Sequence, residues 1–140
     1  MLPAFQTLNL TRLERNYLNR LIEEIEDISA RAHPEGNPGE LFIDLDRQQY
    51  WFSTEQEQPT ESPEDVTSFP EELWVYQVVT REGRQTSGRV SLKFFPDGSR
   101  EFGLIYVRQL QTGKDFTIYL NPYSLSVTVY QGEIYFEEIV

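Results

Sequence analysis

The spacing of the apolar residues changes period partway along the chain, and this restricts the chain to few architectures. From about Asn9 to Ala32 they recur at steps of three and four: Leu10, Leu13, Tyr17, Leu18, Leu21, Ile22, Ile25, Ile28 and Ala32. Such steps place them on one broad stripe of an α-helix. Arg12, Glu14, Arg15, Asn19, Arg20, Glu23, Glu24, Glu26 and Asp27 fall mainly on the opposite side. Burial of a Leu or Ile side chain stabilises a fold by roughly 1.5–3 kcal/mol, so the stripe requires a partner surface. Pro34, Gly36, Pro38 and Gly39 then stop the helix, which is expected over residues 7–32.

Beyond that stop the period is two. ELFIDLDRQQYWF gives two strands, Glu40–Asp46 and Gln48–Ser53, turning near Asp46 and Arg47. Leu73–Thr80 and Gly88–Phe95 give two more. PDGS (Pro96–Ser99) is a hairpin signal, because Gly98 tolerates the positive φ that a tight turn demands. REFGLIYVRQL, DFTIYLN, LSVTVY and EIYFEEIV bring the run to about eight short strands. One long helix followed only by strands predicts a single α+β domain over residues 1–140. Its amphipathic helix packs on antiparallel sheets formed within residues 40–140. Eight Tyr, nine Phe and two Trp agree, since aromatic side chains suit half-buried pleated surfaces.

The net charge is −11, from 23 acidic and 12 basic residues, which disfavours nucleic acid or an anionic membrane surface as the main partner. Most of this charge has one source. STEQEQPTESPEDVTSFPEE (Ser53–Glu72) holds seven acidic residues, three prolines and no Lys or Arg, and the remainder of the chain carries only −4. Twenty such residues predict a solvated loop inserted between strands.

Few residues suggest chemistry. With no cysteine, disulfides and thiolate metal sites are excluded. His33 is the lone histidine and is expected to face the last carbonyls of the helix rather than to serve a triad. Asp44 and Asp46 share one strand face, expected to meet solvent while Ile43 and Leu45 point inward. No glycine-rich phosphate loop or G-x-S-x-G elbow occurs. The expectation is a protein without enzymatic activity, cofactor or metal. Trp51 and Trp74 offer an alternative, a platform for binding carbohydrate or protein, although strand alternation buries about half of such residues. No run of eighteen apolar residues is present.

Taken in order, these segments resemble the type IV pilin-like family, with the match running nearest to GspH/FimT-type minor pseudopilins of type II secretion. The resemblance rests on a proline near the start, the long helix, ELFIDLD after ARAHPEGNPG, and the hairpin residues Phe94, Pro96, Asp97, Gly98 and Ser99. A later segment from Tyr119 to Pro122 adds to it. The family often carries Thr-Gly-Arg after its final proline, whereas Tyr123–Ser126 follows here. The resemblance implies a structural subunit, made with a cleaved leader and a hydrophobic helix that anchors it in the inner membrane. The domain then stands in the periplasm of a Gram-negative-type bacterium. It implies partners as well: other pseudopilins joined through the N-terminal helix, and a secreted substrate or the secretin. A minor pilin of a type IV pilus, including the DNA-uptake kind, is the alternative within the family. Lys93, Lys114 and Arg89 are too scattered in sequence to mark a DNA-binding patch.

In this light Leu2, Pro3, Ala4 and Phe5 are expected to be the exit segment of a membrane helix that lies upstream, which explains a proline without a preceding cap. The helix charges carry a further expectation. Arg12, Arg15 and Arg20 occupy its first half and Glu23, Glu24, Glu26 and Asp27 its second, an order opposed to the helix dipole. Staggered neighbours that pair basic with acidic halves make Arg12, Arg15, Arg20, Glu23, Glu24 and Asp27 a candidate assembly surface.

Overall fold

A computed structural model describes residues 17–27, 39–54, 66–95, 97, 99–123 and 127–135. Residues 17–27 form a helix, α1; the rest of the expected 7–32 helix, with Arg12, Arg15, His33 and Leu2–Phe5, lies outside the described residues. Among the described residues nine strands follow: β1 Gly39–Asp44, β2 Gln49–Thr54, β3 Thr67–Ser68, β4 Leu73–Thr80, β5 Gly83–Gln85, β6 Arg89–Phe94, β7 Gly103–Gln109, β8 Asp115–Leu120 and β9 Val127–Gln131. They form two antiparallel sheets, ordered β3-β2-β1-β6 and β5-β4-β7-β8-β9. Among the described residues the fold is mostly β, with one short helix.

The two periodicities of the sequence meet in one core. Leu18, Leu21 and Ile25 of α1 are buried with Leu41, Ile43, Val90, Leu92 and Phe94 of the first sheet. Val75, Val78, Ile105, Val107, Phe116, Ile118, Leu120 and Val129 of the second sheet complete it. Polar side chains also stitch the sheets, Gln48 among them. Gln48 closes the β1–β2 turn with a positive φ of 56°. Its Nε2 donates to the carbonyl of Val75 at 2.7 Å, and its Oε1 accepts from the Val75 amide at 2.9 Å. Val75 adjoins a bulge in β4, where the register with β7 shifts between Val75 and Gln77. A bulge disrupts the ladder locally, and the Gln48 amide supplies Val75 with partners from the other sheet.

Several expectations need correction. The stretch Ser53–Glu72 is not one continuous loop. Ser53 belongs to β2, and Thr67–Ser68 pair with Gln49–Tyr50 as β3. Phe69 is buried against Tyr50, with ring centroids 4.8 Å apart. Phe69 has apolar area to bury, which the acidic composition around it masks; residues 55–65 lie outside the described residues. The first strand ends at Asp44, and its carboxylate is buried instead of solvated. Asp44 Oδ1 accepts from the amides of Asp46 and Arg47 at 3.1 and 3.0 Å, which ties it into the turn. Asp46 is exposed in that turn.

The hairpin expected at PDGS forms only at its tip. Asp97 Oδ1 accepts from the Ser99 amide, and Phe95 N–H donates to the Ser99 carbonyl, both at 2.9 Å. A single bridge joins Phe94 to Arg100; Pro96 and Gly98 lie outside the described residues. The chain then leaves β6 and enters the second sheet as β7, between β4 and β8. Gly103 permits this crossing: a Cβ there would lie 3.1 Å from a Leu92 methyl of the first sheet. Along the outer edge of β6, side chains and the Glu101 amide, which donates to the Lys93 carbonyl at 2.9 Å, take the place of a neighbouring strand. Glu101 Oε1 accepts from the Lys93 amide at 2.7 Å, and Gln85 Nε2 donates to the Arg89 carbonyl.

EIYFEEIV is likewise no strand over residues 133–135; 136–140 lie outside the described residues. Gly132, with φ of 92°, turns the chain off β9. Residues 132–135 then cross the outer face of the second sheet. There Thr117 Oγ1 donates to the Gly132 carbonyl at 2.7 Å and accepts from the Ile134 amide at 3.0 Å. The Tyr106 hydroxyl donates to the Ile134 carbonyl at 2.7 Å. These hydroxyls satisfy the backbone that a neighbouring strand would otherwise pair.

Candidate functional site

The exposed side of α1 gathers the four charged residues expected there that the structure describes. Arg20, Glu23 and Asp27 are exposed and Glu24 is half-buried, because Leu18, Leu21 and Ile25 hold the opposite face in the core. Arg20, Glu23, Glu24 and Asp27 together line one shallow, open depression. Three carboxylates with a single guanidinium make it acidic, suited to a cationic partner surface.

Polar contacts anchor the first and last described turns of α1, so the depression has a fixed place on the domain. At the first end the Tyr17 hydroxyl is hydrogen-bonded to Glu72, just before β4. Burial and then the Glu72 carboxylate hold that hydroxyl above the ordinary tyrosine range. At the other end Glu26 Oε2 accepts from the Val127 amide at the start of β9, at 3.2 Å. Glu26 thus belongs to the fold, and its neighbours Glu23, Glu24 and Asp27 form the open surface.

The two strand segments that carried the family resemblance converge on a residue the sequence did not single out. Arg100 is buried directly after Ser99. Its amide donates to the Pro122 carbonyl at 3.2 Å, and its Nε donates to the Asn121 carbonyl at 3.1 Å. Burial lowers its pKa, opposed by the charges of Glu26 and Tyr119. Arg100 therefore ties the chain just after Ser99 to the Asn121–Pro122 turn, with the Glu26 carboxylate of α1 near enough to act on its charge. Within the hairpin motif, Phe94 is core, Asp97 is exposed and Ser99 is half-buried.

Trp51 and Trp74 do not form a shared platform. Trp51, 3% exposed, stacks on Phe42 at 5.4 Å in the first sheet beneath the Arg89 guanidinium. Trp74, 42% exposed, lies on the outer face of the second sheet. There the Arg108 guanidinium sits 5.6 Å from the Trp74 ring and 4.9 Å from that of Tyr76. Asp115, directly across the ladder, accepts from Arg108 Nε at 2.7 Å and from Nη2 at 3.3 Å. The sequence held a signal for this pair: Arg108 and Asp115 each stand two positions from the LQTG turn, where cross-strand partners are expected. Among the described residues no group of His, Asp or Glu is arranged to hold a metal ion, and no helix is long and apolar enough to cross a membrane.

No family model and no curated protein matches this sequence. A solved structure does: the minor pseudopilin EpsH from the type 2 secretion system of Vibrio cholerae. It superimposes with a TM-score of 0.56 at 12% identity, over 85% of this chain and 98% of that one. The fold is pilin-like. At this identity the likeness concerns the fold alone. It supports a pilin-like fold but not the expected long N-terminal helix, most of which lies outside the described residues.

Proposed function

We propose that this chain is the globular part of a minor pseudopilin, a non-enzymatic subunit of a type II secretion pseudopilus that assists export of folded proteins across the outer membrane. The observation that carries the reading is the likeness to EpsH, a minor pseudopilin, over nearly the whole length of its solved chain. The order of segments in the sequence supports it independently. In this reading an inner-membrane helix precedes Leu2, the domain stands in the periplasm, and the partners are other pseudopilins. The acidic depression of Arg20, Glu23, Glu24 and Asp27 receives the basic first half of a neighbour's helix.

The test is charge reversal in the full-length, membrane-anchored protein. Glu23→Lys, Glu24→Lys and Asp27→Lys together are expected to abolish co-assembly with neighbouring subunits while the thermal midpoint changes little, because exposed charges contribute little to stability. Normal assembly of the triple variant overturns the role assigned to this face. The coding sequence upstream of Leu2 offers a second check: the reading requires a short basic leader followed by about twenty apolar residues.

A further inference from the structure

Two of the most exposed large apolar side chains lie together, near the first end of α1. Trp74 and Leu110 are 42% and 54% exposed. Trp74 is directly opposite Arg108 in the β4–β7 ladder, and Leu110, the first residue beyond β7, continues that pairing through its amide bond to the Glu72 carbonyl. Trp74 and Leu110 are therefore diagonal neighbours, at a spacing within reach of large side chains. The Leu110 amide donates to the Glu72 carbonyl at 3.0 Å, and the Glu72 side chain bonds the Tyr17 hydroxyl. The surface is therefore continuous from Trp74 and Leu110, through Glu72, to the helix turn that carries Arg20.

The patch is held rigid before any partner arrives. Arg108 supports both the Trp74 and Tyr76 rings, and Asp115 fixes Arg108 with two hydrogen bonds. That pairing also cancels the one cation beneath the rings. Glu71, exposed, and Glu72 leave the side nearest α1 acidic. An apolar centre containing Trp and supported by Arg, with an acidic rim, is the composition of a protein-binding hot spot.

We infer that Trp74 and Leu110 form a docking surface for an amphipathic helix bearing arginines on its flank, supplied by a neighbouring pilin-like subunit. The chemistry of such a helix stands in this chain's own residues 10–15, LTRLER, where leucines alternate with arginines. Its leucines cover Trp74 and Leu110, and its arginines meet Glu71, Glu72 and the carboxylates of α1. The inference rests on the proposed pseudopilin function and extends the contact from the helix onto the second sheet.

The experiment uses the full-length anchored protein, co-produced with the neighbouring pilin-like subunits and carrying a photo-crosslinking residue at position 110. A second protein carries it at Tyr123, which is 92% exposed and belongs to the β8–β9 connection. Crosslinking from 110 to the helix of a pilin-like subunit is expected, with little from 123. Trp74→Ala should weaken the association roughly thirtyfold, the effect typical of removing one hot-spot anchor. Circular dichroism and the thermal midpoint of that variant establish that the domain still folds; Trp74→Phe, which keeps a ring on Arg108, should restore most of the yield. Equal crosslinking at 110 and 123, or an unchanged yield in Trp74→Ala, overturns this surface. If the helix charge reversals still abolish assembly in that case, the pseudopilin reading stands without it. If no pilin-like subunit is captured and the reversals are silent, both fall.

Discussion

β6 and β7 are consecutive strands on either side of one turn, yet they are built on opposite rules. In RVSLKF of β6, burial alternates: Val90, Leu92 and Phe94 face the core, and Arg89 and Lys93 face solvent. In GLIYVRQ of β7 it hardly alternates at all. Ile105 and Val107 enter the shared core while Leu104 and Tyr106, on the other face, are equally buried. β6 is an edge strand with one covered face; β7 is central in its sheet, and residues 132–135 cross its second face. Continuous apolar strands are usual in parallel sheets covered by helices on both sides. Here an antiparallel strand acquires the same pattern because the chain folds a strap over it.

The strongest way to break this contrast is to truncate matching outward positions. Tyr106→Ala should cost about 3–5 kcal/mol, since it empties a buried aromatic site and removes the bond to Ile134. Ser91→Ala, outward on β6, should stay within about 0.5 kcal/mol. Chemical denaturation measures both, and similar values would erase the distinction.

Next in size is the Gln48 stitch between the sheets. Gln48→Ala leaves the Val75 amide and carbonyl without their partners, at a cost of about 2–3 kcal/mol. Hydrogen exchange sharpens the comparison: protection at Val75 should fall more than protection in β6. Uniform loss would mean that the two sheets respond as one unit.

The smallest effect is a slope. The Tyr76 hydroxyl is raised above its ordinary value of 10.0, by burial first and then by Asp115 and Glu133. A raised folded-state value gives stability that is complete below about pH 10 and lost as the pH climbs through the raised value. Tyr76→Phe should therefore flatten the alkaline loss of stability. An identical slope in both proteins would show that Tyr76 is not its source.

The legible parts of the fold were those whose burial leaves a period. β4 matches its expected span, Leu73–Thr80, and β1, β2, β6 and β8 differ from theirs by a few residues at most. β3 and β5 left no such trace. Thr67–Ser68 are both exposed, and Gly83–Gln85 lack apolar residues, so neither segment announces a strand. The final segment misled for a physical reason: EIYF has the composition of a strand, but at Ile134 the hydroxyls of Thr117 and Tyr106 take the backbone hydrogen bonds. At the candidate site, the clustering of Arg20, Glu23, Glu24 and Asp27 followed from helical spacing. Arg100 was illegible because its neighbours Ser99 and Glu101 read as turn and surface; only the fold brings Asn121 and Pro122 against it.

The side chains lining the rim of β6 have a consequence for life in a crowded compartment. An uncovered strand edge is a template onto which any passing chain can add. With Glu101 on the Lys93 amide and Gln85 on the Arg89 carbonyl, Ser91 alone stands between two positions already taken. An incoming strand finds no uninterrupted row of partners. Strand addition along β6 is thereby denied its first rung, so crowded copies of the domain cannot fuse through this edge.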